Sequence, residues 1–223
     1  MEEKSNMTAE RSLEIISEQI AQTRHAVSKI TGQALYIAGL CTMATAVVIA
    51  IINSVSESPL GNLLWLLLPI LIKLSSRGIY KTPAPESLIG TLVGKTWLTF
   101  AIFSLTYFVI AHIWTFVLIW LYSVPTPAGQ LPISMVIVLF MGMAVAITGY
   151  ILKKRWLVWA GIVGGLTIAS CSMIGLGTWL LITCGVPMHT IAIIQISFHC
   201  LYIFLFAFVG LMLPGLILKK QCV

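Results

Sequence analysis

The sequence predicts an all-α integral membrane protein: a six-transmembrane-helix bundle, N-in and C-in, preceded by a cytoplasmic amphipathic helix. Three observations predict it. Hydrophobic residues make up 59% of the 223-residue chain and charged residues 9%, giving a mean hydropathy of +1.01, far more apolar than an ordinary soluble domain. Six apolar stretches follow one another, and six spans of about 20 residues use most of the length. All thirteen Lys and Arg residues fall on one side of those stretches, and cationic flanks resist translocation and stay on the inner face.

Residues 1–33 are the only part with room to form anything substantial outside the bilayer. The start, MEEKSNMTAERSLEIISEQ, is acidic and polar with no apolar h-region, so no signal peptide is expected and the first span acts as an uncleaved anchor. Within the segment Leu13, Ile16, Ile20, Thr23, Val27 and Ile30 recur at spacings of three and four, with Glu10, Glu14, Glu18, Arg24 and Lys29 off that seam. This amphipathic helix is poor in Trp, Phe and Lys, so it suits packing on protein better than lying among headgroups. Leu13, Ile16, Ile20, Val27 and Ile30 form the candidate interaction seam, for self-association, for a partner or for the chain's own inner loops. The seam continues in register through Ala34, Ile37 and Cys41, so the helix can run into the first span, with Gly32 as its weak point.

The first span is expected over 34–53, leaving through Ser54 to Pro59 with Glu57 and no cation. The second, 60–74, is short, with Pro69 inside it and Lys73 near its inner end, where the ammonium can snorkel to the interface. Arg77, Lys81 and the stretch Thr82 to Ser87 make an inner loop. Apolar character then runs from Leu88 to Tyr122, too long for one perpendicular crossing at about 1.5 Å per residue. The third span is therefore set at 96–122, with Lys95 at the inner interface. The outer loop Ser123 to Pro132 holds three prolines and no charge. The fourth span, 133–152, ends at Lys153, Lys154 and Arg155; the fifth covers 156–183; an outer turn from Gly185 to His189 leads to the sixth, 190–218; and 219–223 is a cytoplasmic tail. Aromatic placement agrees: Trp97, Tyr150, Trp156 and Trp159 lie at inner ends, and Trp65, Trp120, Tyr122 and Trp179 toward outer ends, the levels that Trp and Tyr prefer.

The inner loops and tail carry nine cations against Glu86 alone, while four cations meet five glutamates in the N-terminal segment. The expected partners are thus the lipid bilayer, with anionic lipid favoured at the cytoplasmic face, and a second copy of the chain. Nothing resembles a nucleic-acid module.

The segment TAERSLEIISEQIAQTRHAVSK, followed by a first span rich in small residues, resembles an uncharacterised family of small multi-span inner-membrane proteins of Bacteroides-like bacteria. The resemblance covers mainly the first fifty residues. It implies a bacterial inner-membrane location and carries no activity, cofactor or site residue.

Chemistry-bearing residues are sparse. The chain has no Asp, and no Glu, Lys or Arg deep inside a span. This argues against a carboxylate relay for protons or sodium, against Asp-dependent magnesium chemistry and against the paired carboxylates of many hydrolases. What remains is a candidate intramembrane polar cluster: His112 in the third span with Gln195, His199 and Cys200 in the sixth. Counted from the outer ends, both histidines lie about 14 to 15 Å deep. Two imidazoles at one depth suit a metal, a haem iron or a pH-sensitive switch. Equally, each suits a hydrogen bond to a neighbouring helix, and two histidines make an incomplete zinc site. No cofactor is predicted. Among the five cysteines there is no CxxC or CxxCH, and Cys222, followed only by Val223, is no prenylation box.

Small residues predict close helix approach at Gly161 and Gly165, at Gly142 and Ala146, and at Ala46 and Ala50, while Pro69 and Pro214 predict kinks. The sequence thus leaves three function classes. The first is a non-catalytic sensory or scaffolding protein working through its N-terminal helix. The second is a small permease or channel, and the third an intramembrane metal or haem protein using His112 and His199.

Overall fold

The structure, a computed structural model, describes residues 9–56, 59–76, 87–122, 133–174 and 176–220, all of them in helices or short connections. Outside them lie Glu57, the expected inner loop 77–86, the expected outer loop 123–132 and Cys222. Four helical stretches, Arg11–Ser56, Leu88–Trp114, Ile133–Ile151 and Ser197–Lys220, are long and apolar enough to cross a membrane; Gly61–Ser75 and Arg155–Cys171 are shorter apolar helices.

Helix α1 runs unbroken over Ala9–Ser56, 48 residues without a proline. The expected boundary at residue 33 is therefore not a break. Gly32 is a contact instead: a Cβ placed there would sit 2.7 Å from Leu218 Cβ. Hydroxyls inside the apolar helices return their protons to the carbonyl one turn earlier, as Thr42 Oγ1 does to Ala38 O at 2.8 Å and Thr148 Oγ1 to Ala144 O at 2.7 Å.

The second expected span is a 3-10 helix over Pro59–Leu67 followed by α2 over Leu68–Ser75, with Pro69 in the first turn of α2. Pro69 has no N–H to give Trp65, so tightening of the preceding turns is the local answer. Contacts with α1 fix its path. Asn53 meets Asn62 at 3.1 Å and Cys41 Sγ meets Ser75 Oγ at 3.6 Å, so the segment accompanies α1 for about 18 Å, well short of a hydrocarbon core of about 30 Å.

Helix α3 spans Leu88–Tyr122 as one 35-residue rod, so the expected third span, 96–122, lies within a helix that starts eight residues earlier. Helices α4 (Ile133–Ile151) and α5 (Arg155–Ile174) form the most intimate pair. Gly142 and Ala146 face Gly161 and Gly165, and a Cβ on Gly161 would lie 2.5 Å from Ala146 N, so the small residues bring backbone onto backbone as expected. The fifth expected span continues as α6 (Leu176–Thr183). The sixth is α7 (Met188–Phe206), a π-helical turn over Ala207–Met212 and α8 (Leu213–Lys220). The π turn precedes Pro214, whose missing N–H leaves the Gly210 carbonyl without its α-helical donor; the re-registered ladder is how this proline is absorbed.

The bundle's core joins α1, α4, α5 and the final helix run. Phe206, Leu157, Val138, Val145, Leu152 and Leu218 are fully buried there. Helix α1 lies along α7, the π turn and α8, while α3 rests mainly on α4 and touches α1 only lightly. That loose edge positions the site.

Candidate functional site

Two polar or hollow regions stand out. The first is a hydrogen-bond network that joins the C-terminal end of α1, the 3-10 segment and the middle of α7. Asn53 is fully buried, and its Nδ2 donates to Asn62 Oδ1 at 3.1 Å. His199 Nε2 lies 2.8 Å from the same oxygen and 3.3 Å from Cys200 Sγ. Since Oδ1 only accepts, Nε2 carries the proton in this geometry. Two residues before His199 on α7, Ser197 Oγ donates to Ala50 O at 3.1 Å and lies 3.0 Å from Ser54 Oγ, which is left to donate to it. Gly61 lies against Asn53 Oδ1, so a side chain there would enter the network. That buried Oδ1 has no hydrogen-bond partner of its own.

The expected histidine pair takes two separate environments. His112 is exposed on α3, where its Nδ1 donates to Phe108 O at 2.8 Å and its ring stacks on Phe108 at 4.1 Å. His199 is half-buried and engaged with Asn62 and Cys200, and α3 and α7 share no substantial packing surface. The side chain of Gln195 lies outside the described residues. Among the described residues, no three of His, Cys, Asp and Glu gather as metal ligands, and Cys41, Cys171, Cys184 and Cys200 are free thiols. Asn53 and Asn62 are the members that sequence reading missed. The available signal was an amide on each side of the expected connection between the first two spans, in otherwise apolar surroundings.

The second region is a cavity of about 760 Å³ between α1, the 3-10 segment with α2, α3 and α4. On α3 its lining runs from Ser87 and Gly90 to Phe108, about 27 Å from Gly90 by helix rise. Small residues make the space: Ala34, Ala38 and Thr42 on α1 face Gly94, Ala101 and Ser104 on α3. Both irregular segments reach it, through Trp65, Leu66 and Pro69 on one side and Leu211 on the other. Its polar groups are hydroxyls and the indoles of Trp65 and Trp97, and no carboxylate, imidazole or thiol belongs to its lining. Ser104 Oγ is buried there without a hydrogen-bond partner.

The candidate seam divides between two roles. Leu13, Ile16 and Ile20 are exposed, at 67%, 51% and 47%. Val27 is buried, and Val27 and Ile30 line one end of the cavity, so these two positions serve the chain's own packing and not a free docking face. The helical period told which residues share a face, but not how much of that face the bundle covers.

Comparison of the chain with protein-family models, characterised proteins and solved structures gave no match.

Proposed function

We propose that this chain is a non-catalytic, six-span protein of a bacterial inner membrane, with both ends cytoplasmic, that holds a lipid chain in its lateral cavity and senses or scaffolds at that membrane. The cavity between α1, α2, α3 and α4 is the observation that carries the reading. Its volume of about 760 Å³ falls within the range of small-molecule sites, and an apolar lining gives water too few partners to fill it well. Immersion in a bilayer is supported by the large apolar residues exposed around the bundle, among them Phe103, Ile113, Phe116 and Trp120 on α3. A second span that follows α1 for only part of its length leaves a way in from the side.

The test is quantitative mass spectrometry of lipid retained by the full chain in mild detergent. The unaltered chain should retain lipid, and Ala38→Phe with Ser104→Phe, which fills the space from both walls, should lose most of it. Equal retention by both proteins would remove the cavity as the binding site.

The exposed Leu13, Ile16 and Ile20 favour a second reading, an arm that docks on another protein. With Val27 and Ile30 engaged in the bundle, the free seam is too short for a stable isolated coiled coil, so the other partner must supply a preformed groove. Crosslinking with and without residues 1–20 tests it: an unchanged pattern of assembly would end this reading.

A further inference from the structure

We infer that the turn between α4 and α5 is a binding site for the headgroup of an anionic phospholipid, held by Lys153, Lys154 and Arg155, with its acyl chains lying along α5. The inference rests on the membrane-spanning reading above but concerns a site apart from the apolar cavity. An open pocket of about 420 Å³ lies at this turn, and Lys153, Lys154, Arg155, Tyr150, Trp159 and Ile162 belong to its lining. No carboxylate belongs to that lining. Three cations consecutive in the chain thus border one concavity, so an anion that enters it offsets their mutual repulsion and accepts charge-assisted hydrogen bonds.

The backbone fixes this arrangement before any ligand arrives. Leu152 and Leu157, on either side of the turn, are 1% and 0% exposed. Between them Lys153 N donates to Tyr150 O at 3.1 Å and Lys154 N to Gly149 O at 2.9 Å, while Lys154 O accepts from Leu157 N at 3.0 Å. The two helices touch backbone to backbone, since a Cβ on Gly149 would lie 2.6 Å from Val158 N. Binding therefore has only the long side chains left to order.

The surroundings select a lipid over a soluble anion. Tyr150 and Trp159, one from each helix, are 66% and 63% exposed, and in a bilayer such rings sit at the level of the headgroups. From Trp159 the face of α5 continues through Ile162, Val163 and Leu166 at spacings of three and four, with Val163 and Leu166 more than half exposed. Ile162 lies about 10 Å along the helix from Arg155. A phosphate at the cations thus has an apolar track leading away from it, which an acyl chain uses and a free phosphate does not. Basic pockets between membrane helices take anionic headgroups in this way, and the Arg155 guanidinium suits a phosphate with two parallel N–H groups.

The experiment reconstitutes the full chain into vesicles of equal phosphatidylglycerol and phosphatidylcholine with the same acyl chains, recovers it by flotation, re-extracts it in mild detergent and measures the lipid that stays bound. The unaltered chain should retain phosphatidylglycerol about fivefold over phosphatidylcholine, the scale of one basic contact. Lys153→Gln with Arg155→Gln should bring the two lipids near parity, and the charge-conserving pair Lys153→Arg with Arg155→Lys should keep the preference. Lys219→Gln with Lys220→Gln, which removes the same charge from the end of α8, should also keep it. Inorganic phosphate added at extraction should displace no more phosphatidylglycerol than chloride of equal ionic strength. Parity in the unaltered chain, a preference that survives loss of Lys153 and Arg155, or equal losses from the α8 pair would overturn the site, and displacement by phosphate beyond the chloride control would overturn the lipid as its occupant. Failure of the membrane-spanning reading is distinguishable, because the unaltered chain would then not float with the vesicles, which would overturn both.

Discussion

Asn53 and Asn62, nine residues apart in sequence, are joined by a 3.1 Å hydrogen bond whose acceptor oxygen is shared with His199. The bond ties the 3-10 segment to α1, and the shared acceptor ties both to α7. Three chain segments therefore depend on one amide. Asn62→Ala should cost about 2 to 3 kcal/mol in thermal unfolding of the detergent-solubilised protein, since it leaves the buried Asn53 donor without its acceptor and removes the Asn62 acceptor from His199. His112→Ala, which loses only a bond within its own helix, should cost about 0.6 kcal/mol or less. Equal losses at the two positions would show that the network does not act as a unit.

Gly32 and Gly94 predict opposite outcomes for the same substitution. On α1, a Cβ at Gly32 would meet Leu218 Cβ at 2.7 Å and Lys219 N at 3.0 Å, whereas a Cβ at Gly94 on α3 would meet nothing within 4 Å. Gly32→Ala should therefore destabilise by about 1 to 3 kcal/mol through overpacking against backbone. Gly94→Ala should stabilise by up to about 1 kcal/mol, because only helix propensity changes. Melting temperatures that move in the same direction would refute the close α1–α8 contact.

What the sequence made legible follows from what one dimension encodes. Helix existence and the α4–α5 contact were readable, because small residues four apart, Gly161 with Gly165 and Gly142 with Ala146, define a face that admits another backbone. The same kind of pattern at Ala34, Ala38, Gly94 and Ala101 encloses a cavity. Nothing in the spacing distinguishes the two outcomes, since the difference lies in how far α2 and α3 stand from α1. Depth counting placed His112 and His199 at one level but says nothing of azimuth, and His112 turned out to face away from the packed side of α3. Prolines marked where the ladders would change, at Pro69 and Pro214, but not whether the change would be a kink, a 3-10 run or a π turn. Val27 and Ile30 carried a docking signature that the chain's own cavity absorbs.

Lys153 has a positive φ of 55° at the end of α4. There Lys153 N donates to Tyr150 O at 3.1 Å and Lys154 N to Gly149 O at 2.9 Å, the pattern of a helix ended by a left-handed residue. Gly185, with φ 74°, ends α6 in the same way and pays no steric penalty. Replacing Lys153 by Gly should raise stability by about 1 kcal/mol, read as a higher midpoint of thermal unfolding, because a Cβ is unfavourable in this conformation. A lower midpoint would mean that the lysine's contacts outweigh its backbone strain.

The short second span makes membrane topology the most discriminating measurement. From Asn62 to Ser75 the segment is about 22 Å long by its rise per residue, and its two hydrogen-bonded contacts span about 18 Å of α1, so it is inclined to that helix. Two outcomes differ sharply. If the segment crosses the bilayer, Lys73, Arg77 and Lys81 reach the cytoplasm as the positive-inside rule requires. If it turns back, every later loop changes sides, and Lys153, Lys154 and Arg155 fall on the outer face, against the same rule. Reporter fusions at Glu57, Gly129 and Pro187 should therefore read as periplasmic, and fusions after Pro83, Lys154 and Val223 as cytoplasmic. A periplasmic reading after Pro83 with a cytoplasmic one at Gly129 would establish the re-entrant path.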